Sequence, residues 1–527
     1  MSDSNDRSGG PTDQHLSRRQ LLSGAGAALG AAFLMPDQVS ARLSALGSEE
    51  ENRARQRLND AIVFTNTTVV TGDAHRPPLV DVALAVSGDR IAAIGPTDSV
   101  LAQYPGAEVI DGRNKALLPG VMNCHAHLSA TIARGFNEDF GFPNRAGLDV
   151  SPGSLLSTEE RTLMSVIAAV ESIRCGATTV VQYTGGIAPE AEALANTGLR
   201  WVFAEAANDR IDGTVMSPER LAASETPRFS ESMREAGMQR IQDLFSAWHG
   251  HDDGRVQVFP SVVHTENASP ELLQAVRAFA EEHDLGYTIH LNQTHAEVDY
   301  MLRYHGVRPT EYLYQHDFLG PRLFAAHARY ADEREIELLA STNTIVAHQA
   351  AMAANRGVSP PIPALREAGC TICLGTDNNN NDMFAVMKVA MLTERIRRGG
   401  DDEHPGLLPQ PEDILQDAAL GGAHAIQQPD DLGLLEVGRK ADIIVLDTLK
   451  PHLVPHGRVL SVWLHNGQPS DVESVMVDGE FIMRDHRVLT VDEEAIVAEA
   501  NSVGRRVWDE VQGANPVTPP GRTMSWG

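Results

Sequence analysis

Seven side chains able to bind a metal ion or carry a proton each close a short apolar run: His125, His127, His264, His290, His327, His348 and Asp377. Imidazole and carboxylate groups are the usual means of holding a metal ion and of moving protons near neutral pH. His125 and His127 stand two apart, and the period of a β-strand puts both on one face while Cys124 and Ala126 point away. One ion can then take both imidazoles. A single His-x-His pair is weak evidence; six histidines and an aspartate at the ends of apolar runs are not. Most other histidines, among them His249, His251, His283, His404 and His456, fall in polar connections and read as solvated.

The runs that carry these residues alternate with helix-like segments. They begin at Gly120, Ala177, Leu199, Val256, Tyr287, Leu323, Thr344 and Thr371. Alternation of this kind predicts a parallel sheet with crossover helices. Eight such strands in about 250 residues predict an α/β protein of the (β/α)₈ TIM-barrel class, whose strand carboxyl ends meet at one mouth. A different texture flanks this block. Short β-branched strands with Gly, Asp and Asn turns start at Ala61, Val82 and Arg90 and return at Ala441, Val475 and Phe481. Both chain ends are therefore expected to build one small discontinuous β-sandwich, over residues 60–116 and 434–490. The barrel is expected over 117–433, and a C-terminal helix and tail over 491–527.

The chain has 527 residues, 42% of them hydrophobic, enough for a large domain with a real core. Its 43 basic against 71 acidic residues give a net charge of −28, which repels nucleic acid and anionic lipid and suits an acidic enzyme with a small-molecule substrate. Four cysteines, Cys124, Cys175, Cys370 and Cys373, are too few for a disulfide scaffold and lack the second pair of a zinc ribbon, so they read as packing residues.

Ser17-Arg-Arg-Gln-Leu-Leu leads into an uncharged stretch from Leu21 to Met35, and Val39-Ser-Ala offers a small-residue cleavage pattern. This resembles a twin-arginine signal. The apolar run, about 15 residues, is shorter than a bilayer span needs. Residues 1–41 are therefore expected to direct export, already folded, through the twin-arginine translocation machinery to the periplasm, cell envelope or exterior, with cleavage after Ala41. A membrane-tethered N-terminus is the alternative.

The chain resembles the amidohydrolase superfamily, in its cytosine-deaminase and chlorohydrolase-like branch, from about residue 61 to 490. The marks are Leu118-Pro-Gly-Val-Met-Asn-Cys-His-Ala-His-Leu, Gly176-Ala-Thr-Thr-Val-Val, Ile289-His-Leu-Asn-Gln-Thr-His-Ala-Glu, Ala325-Ala-His, Val346-Ala-His, Gly375-Thr-Asp and Leu435-Glu-Val-Gly-Arg-Lys-Ala-Asp. The resemblance implies one divalent metal ion per chain, zinc with iron as the alternative, bound by His125, His127, His290 and Asp377. The ion would lower the pKa of a bound water, and Asp377 would take its proton. His327 would polarise the attacked group or add a fifth ligand, and His264 would touch the substrate. Relatives are often dimers, so a homodimer is an expectation too. Binuclear members bridge their metals with a carbamylated lysine; the only lysines here are Lys115, Lys388, Lys440 and Lys450, so none lies where the bridge would form. A glutamate bridge through Glu205 or Glu266 is the alternative to one metal.

Two positions depart from the pattern. Deaminases of this branch carry His-x-x-Glu on the fifth strand, and that glutamate shuttles the proton to the ring nitrogen and leaving amine. This chain has Gln293, which can orient a substrate but cannot titrate. Either proton delivery has moved to His327, Asp377 or Glu297, or the substrate needs less protonation of its leaving group, as an activated amide, urea, carbamate or halide would. Gln182 stands where relatives often place an acid, and it is expected in the substrate pocket with His348, Glu297 and Asn378, the last opening the run Asn378-Asn-Asn-Asn-Asp. The expected activity is metal-dependent hydrolysis of a C–N bond, by deamination or amide-type cleavage, in a small nitrogen-rich heterocyclic compound. A urea, carbamate or chlorohydrolase-type reaction and a binding protein without turnover are the alternatives.

Overall fold

A computed structural model of the chain describes residues 61–140, 150–378, 380–400 and 407–514. The expected signal and cleavage site at 1–41, His404, Asn379 and the tail beyond residue 514 lie outside the described residues. Among those that are described, no helix is long and apolar enough to cross a membrane.

Strands β1 (Ile62–Val69), β2 (Leu79–Ser87), β3 (Arg90–Gly95), β4 (Glu108–Asp111) and β5 (Lys115–Pro119) open the chain. The barrel follows with β6 (Val121–Ala126), β7 (Ala177–Thr184), β8 (Arg200–Ala207), β9 (Val256–His264), β10 (Tyr287–Leu291), β11 (Leu323–His327), β12 (Ile345–His348) and β13 (Ile372–Leu374). Last come β14 (Ile443–Asp447), β15 (Val472–Val477), β16 (Glu480–Arg484) and β17 (Arg487–Val488).

The first and last groups form one nine-stranded mixed sheet in the order β17-β16-β15-β14-β5-β1-β2-β3, with β4 beside β1. Phe64 on β1 and Phe481 on β16 are four strands apart, about 19 Å in a flat sheet. Their rings lie 6.3 Å apart. The sheet therefore folds over itself and closes on Phe64, Leu84, Leu117, Ile443, Met476 and Phe481. The two expected layers are one continuous sheet, which runs on to Pro119, past the expected boundary at residue 116.

In the second sheet, β6 to β13 lie side by side in chain order, all parallel, with both faces buried as near-continuous apolar runs require. Closure of the barrel is specific. Ala126 bridges Asp377, and the Asn123 side chain accepts from Thr376 N–H at 3.0 Å and donates to Thr376 Oγ1 at 2.8 Å. A Cβ on Gly375 would stand 2.8 Å from the His125 backbone nitrogen, so glycine is what allows the last strand to approach the first. The helix Pro270–Glu282 illustrates the outer layer. Ser269 caps it by accepting from Leu272 N–H, proline occupies the first turn where no N–H is needed, and Leu272, Leu273, Val276 and Ala280 bury one face. All four cysteines are buried and free, as packing residues should be.

Barrel and folded sheet are joined by ions at the amino ends of the strands. Arg200, at the start of β8 and 1% exposed, reaches Asp442 at 3.1 Å and Asp478 at 2.6 Å. Arg255 and Lys440 also pair with Asp478, at 3.3 and 2.8 Å.

Candidate active site

At the opposite, carboxyl end of the barrel the strand-end histidines converge. β6 carries one extra residue between Asn123 and Ala126, and β9 carries one between Val262 and His264. Bulges of this kind re-aim side chains. The second sets His264 level with His290, and the two rings stack at 4.4 Å.

Ligand atoms of His125, His127 and Asp377 lie within 4.8 Å of one another, as do those of His125, His290 and His327. His127 Nδ1 donates to the Tyr183 carbonyl at 2.7 Å and His290 Nδ1 to the Val263 carbonyl at 2.6 Å. With their protons on Nδ1, both rings present an Nε2 lone pair, and these two nitrogens are 3.3 Å apart. Facing lone pairs repel unless a cation lies between them. Zinc–nitrogen bonds of about 2.0–2.1 Å at a tetrahedral angle separate the nitrogens by about 3.3–3.4 Å. The residues present therefore fit a divalent ion. His125 and His327 agree, because all four of their ring nitrogens are buried without a hydrogen-bond partner among the described residues, and so is Asp377 Oδ2. Carbonyls that fix the tautomer of ligating imidazoles are the usual support of such centres. Tyr183 adds to it: its hydroxyl donates to the Val262 and Val263 carbonyls, and its ring packs 4.6 Å from His290 and 5.1 Å from His125.

Burial pushes the imidazoles of His125, His290 and His327 well below the usual histidine range and that of His127 down as well, so all four are neutral and ready to ligate. Burial moves the Asp377 carboxyl the other way, up, against the pull of His127 and Arg329, which favours it as a proton acceptor. His348 ends β12 beside this centre, is 3% exposed, and is lowered to about 3 by burial and by the charges of Arg329 and Arg366. Asn378 follows Asp377 with its Oδ1 buried and without a hydrogen-bond partner among the described residues.

The pocket residues expected from the sequence divide. Gln293 is in the site: its Oε1 accepts from His264 Nε2 at 2.9 Å. Glu297 is not. It is completely buried, and its carboxylate accepts from the backbone N–H of Asn292 at 3.1 Å and of Gln293 at 2.6 Å. It braces the loop that carries Gln293 and cannot stand in for the missing acid. Gln182 is likewise occupied, accepting from Leu128 N–H at 3.1 Å and donating to Glu190 at 2.6 Å, so it ties β7 to the turn after β6. Both were expected to face a substrate; both serve backbone and side-chain partners inside the protein. Of the alternative bridging acids, Glu205 is engaged elsewhere, accepting from Gly186 and Ile187 N–H through its two oxygens, while Glu266 accepts from Val215 N–H through Oε1 and keeps Oε2 buried without a hydrogen-bond partner among the described residues.

Sequence reasoning missed Arg329. It ends two residues past His327 with Nη2 3.8 Å from Asp377 Oδ2, and no motif marks it. Its only signal was a cation close behind a strand-end histidine.

The Amidohydrolase family model matches residues 116–482, and a short imidazolonepropionase-like composite domain model of bacteria matches residues 83–107. The 5-methylthioadenosine/S-adenosylhomocysteine deaminase of Syntrophobacter fumaroxidans is 30% identical over 453 residues, covering 85% of this chain and 98% of its own. The 5'-deoxyadenosine deaminase of Methanothermobacter thermautotrophicus is 30% identical over 451 residues, covering 84% and 98%. In fold, the chain is similar to a zinc-bound adenosine deaminase of Xanthomonas campestris, with TM-score 0.73, 23% identity and coverage of 85% and 98%. It is equally similar to the zinc complex of atrazine chlorohydrolase from Arthrobacter aurescens TC1, with TM-score 0.74, 22% identity and coverage of 84% and 100%.

Proposed function

This chain belongs to the amidohydrolase family, and from that premise we propose that one zinc ion, held by His125, His127, His290 and Asp377, serves hydrolysis of a C–N bond in a small nitrogen-rich compound. The protein is an enzyme of the metal-dependent C–N hydrolase class. The observation that carries the ligand assignment is the pair of Nε2 atoms of His127 and His290, turned toward each other by carbonyls that hold the Nδ1 protons.

When bound, the ion supplies Lewis-acid activation of water at neutral pH. The chain's own residues do the rest. Asp377, buried and pushed up in pKa, takes a proton from the attacking water and is placed to return it to the departing nitrogen. His327, with Nε2 3.7 Å from Asp377 Oδ2, borders the atoms that react. His264 fixes the Gln293 carboxamide, which orients the substrate without titrating. Delivery through the twin-arginine route and assembly as a homodimer complete the proposal; the Arg18-Arg19 motif and its apolar stretch support the first.

Metal analysis of the purified chain, with ammonia and amine release followed over nucleosides, nucleobases, triazines and arylureas, tests the reading. One metal per chain with release from at least one class is the expected result. Metal-free protein with full turnover, or metal-loaded protein with none, overturns it.

A second test concerns the missing acid. Gln293→Glu restores a titratable group that His264 already contacts, and general acid catalysis is worth about 10²–10⁴-fold. Ammonia release from 5'-deoxyadenosine is expected to rise at least about tenfold, with a new acidic pKa in the rate profile. An unchanged rate in a folded, metal-loaded variant would show that proton delivery does not limit that reaction.

A further inference from the structure

Arg329 is 9% exposed, and its Nε and Nη2 are buried without a hydrogen-bond partner among the described residues. Its nearest carboxylate oxygen among the described residues, Asp377 Oδ2, is 3.8 Å from Nη2, beyond hydrogen-bond length. The backbone is bent to put it there. His327 and Ala328 take φ of 84° and 47°, a left-handed region that non-glycine residues occupy at a cost, and such strain gathers at functional sites. Ala328 N–H to the Leu291 carbonyl at 2.9 Å and Tyr330 N–H to the Asn292 carbonyl at 3.2 Å hold the turn. A buried guanidinium with open donors costs stability until an acceptor meets it.

Gln293 supplies a matching group. Its Oε1 is taken by His264, which leaves its N–H groups for a substrate acceptor. Neither a guanidinium nor a carboxamide gives up a proton to a leaving atom. Attack on an amino-substituted ring carbon builds charge on a ring nitrogen that must be protonated before ammonia leaves. Attack on a carbonyl carbon builds it on oxygen, which fixed N–H donors stabilise without proton transfer.

We propose that Arg329 is a further catalytic residue that holds the carbonyl oxygen of the substrate, and that the site is built for an amide, urea or carbamate carbon. This rests on the hydrolytic reading above. The water oxygen attacks the carbonyl carbon while Asp377 takes a water proton, and the C=O π pair moves to the oxygen facing Arg329. Return of that pair breaks the C–N bond, and Asp377 passes its proton to the departing nitrogen. The products are an amine together with a carboxylic acid from an amide, a carbamic acid from a urea or a carbonic half-ester from a carbamate, with no further reactant.

The test compares zinc-loaded wild type, Arg329→Met and Arg329→Lys on arylureas, aryl carbamates and anilides against adenine nucleosides and aminotriazines. Wild type is expected to prefer the carbonyl compounds. Arg329→Met is expected to lower kcat on them by about 10²–10³-fold, the usual loss for one oxyanion donor, with KM nearly unchanged and partial recovery in Arg329→Lys. Unfolding of the metal-free proteins is the independent readout. Removing a buried guanidinium whose Nε and Nη2 donors are unsatisfied is expected to raise the Tm of Arg329→Met, whereas loss of a structural arginine would lower it. The inference is overturned by preference for the amino-heterocycles, by kcat within threefold in Arg329→Met, or by a lowered Tm. Turnover of heterocycles alone sinks this inference and leaves the hydrolytic reading intact; turnover of neither class sinks both.

Discussion

Asp377→Asn is expected to lower kcat by about 10³-fold or more, because the substitution removes the proposed proton acceptor and proposed metal ligand together. The side chain is 2% exposed, and its two oxygens lie 3.8 Å from His127 Nε2 and 3.7 Å from His327 Nε2. Asparagine keeps the shape but neither the charge nor the basicity. The loss should be interpretable, since the fold depends on the backbone of this residue and not on its carboxylate. Asp377 N–H donates to the His125 carbonyl at 2.9 Å, and His127 N–H donates to the Asp377 carbonyl at 3.1 Å, so barrel closure survives. Chelation followed by added zinc should restore wild type and leave the variant inactive. Bound metal is measured alongside. A variant within tenfold of wild type would remove Asp377 from the mechanism.

Arg200→Met is expected to destabilise the fold by about 3–5 kcal/mol, the cost of leaving the buried Asp442 carboxylate without its cation and weakening the set that holds Asp478. Arg200 is 1% exposed and is shared by Asp442 and Asp478, which are 4% and 9% exposed. Asp442 keeps no other cation within the pairs described. Burial alone would raise the Asp478 carboxyl; Arg200, Arg255 and Lys440 together hold it well below the usual range. The sign follows from that depression. The folded pKa is below the unfolded value of about 3.9, so the contribution is fully present above about pH 4 and is lost as pH falls through the folded value. Urea unfolding at neutral pH should therefore separate wild type from variant widely, and the gap should narrow below about pH 4. Activity per folded molecule should be unchanged, because this cluster lies at the amino ends of the strands and the catalytic centre at the carboxyl ends. A difference below about 1 kcal/mol at neutral pH would mean that the cluster gains no more than it loses by desolvation.

Much of the site was legible because its signals are local. The alternation of apolar runs with helical segments is a property of a few neighbouring residues, and so is the period that puts His125 and His127 on one face. Each of the eight strands begins at, or one residue after, its expected start. Gln293 could be read as the departure it is, since a carboxamide lacks a titrating proton in any fold. Hydrogen-bond partners are a different kind of quantity. Glu297 and Gln182 are polar residues near strand ends, and nothing in their neighbours says that backbone N–H groups of Asn292, Gln293 and Leu128 claim them.

By itself, then, the sequence determined the order and class of the strands, the supply of metal-competent side chains at their ends, and the exclusion of a lysine bridge, since no lysine lies between Lys115 and Lys388. Only the tertiary structure decided how those side chains meet. The bulges in β6 and β9, the closure of β13 on β6 through Gly375 and Asn123, and the folding-over of the nine-stranded sheet depend on partners far away in the chain. The left-handed turn after β11 that brings Arg329 to Asp377 is held by carbonyls of β10 and of the loop behind it. A periodic pattern encodes which face a residue takes; long-range packing and hydrogen bonding select which atoms it touches.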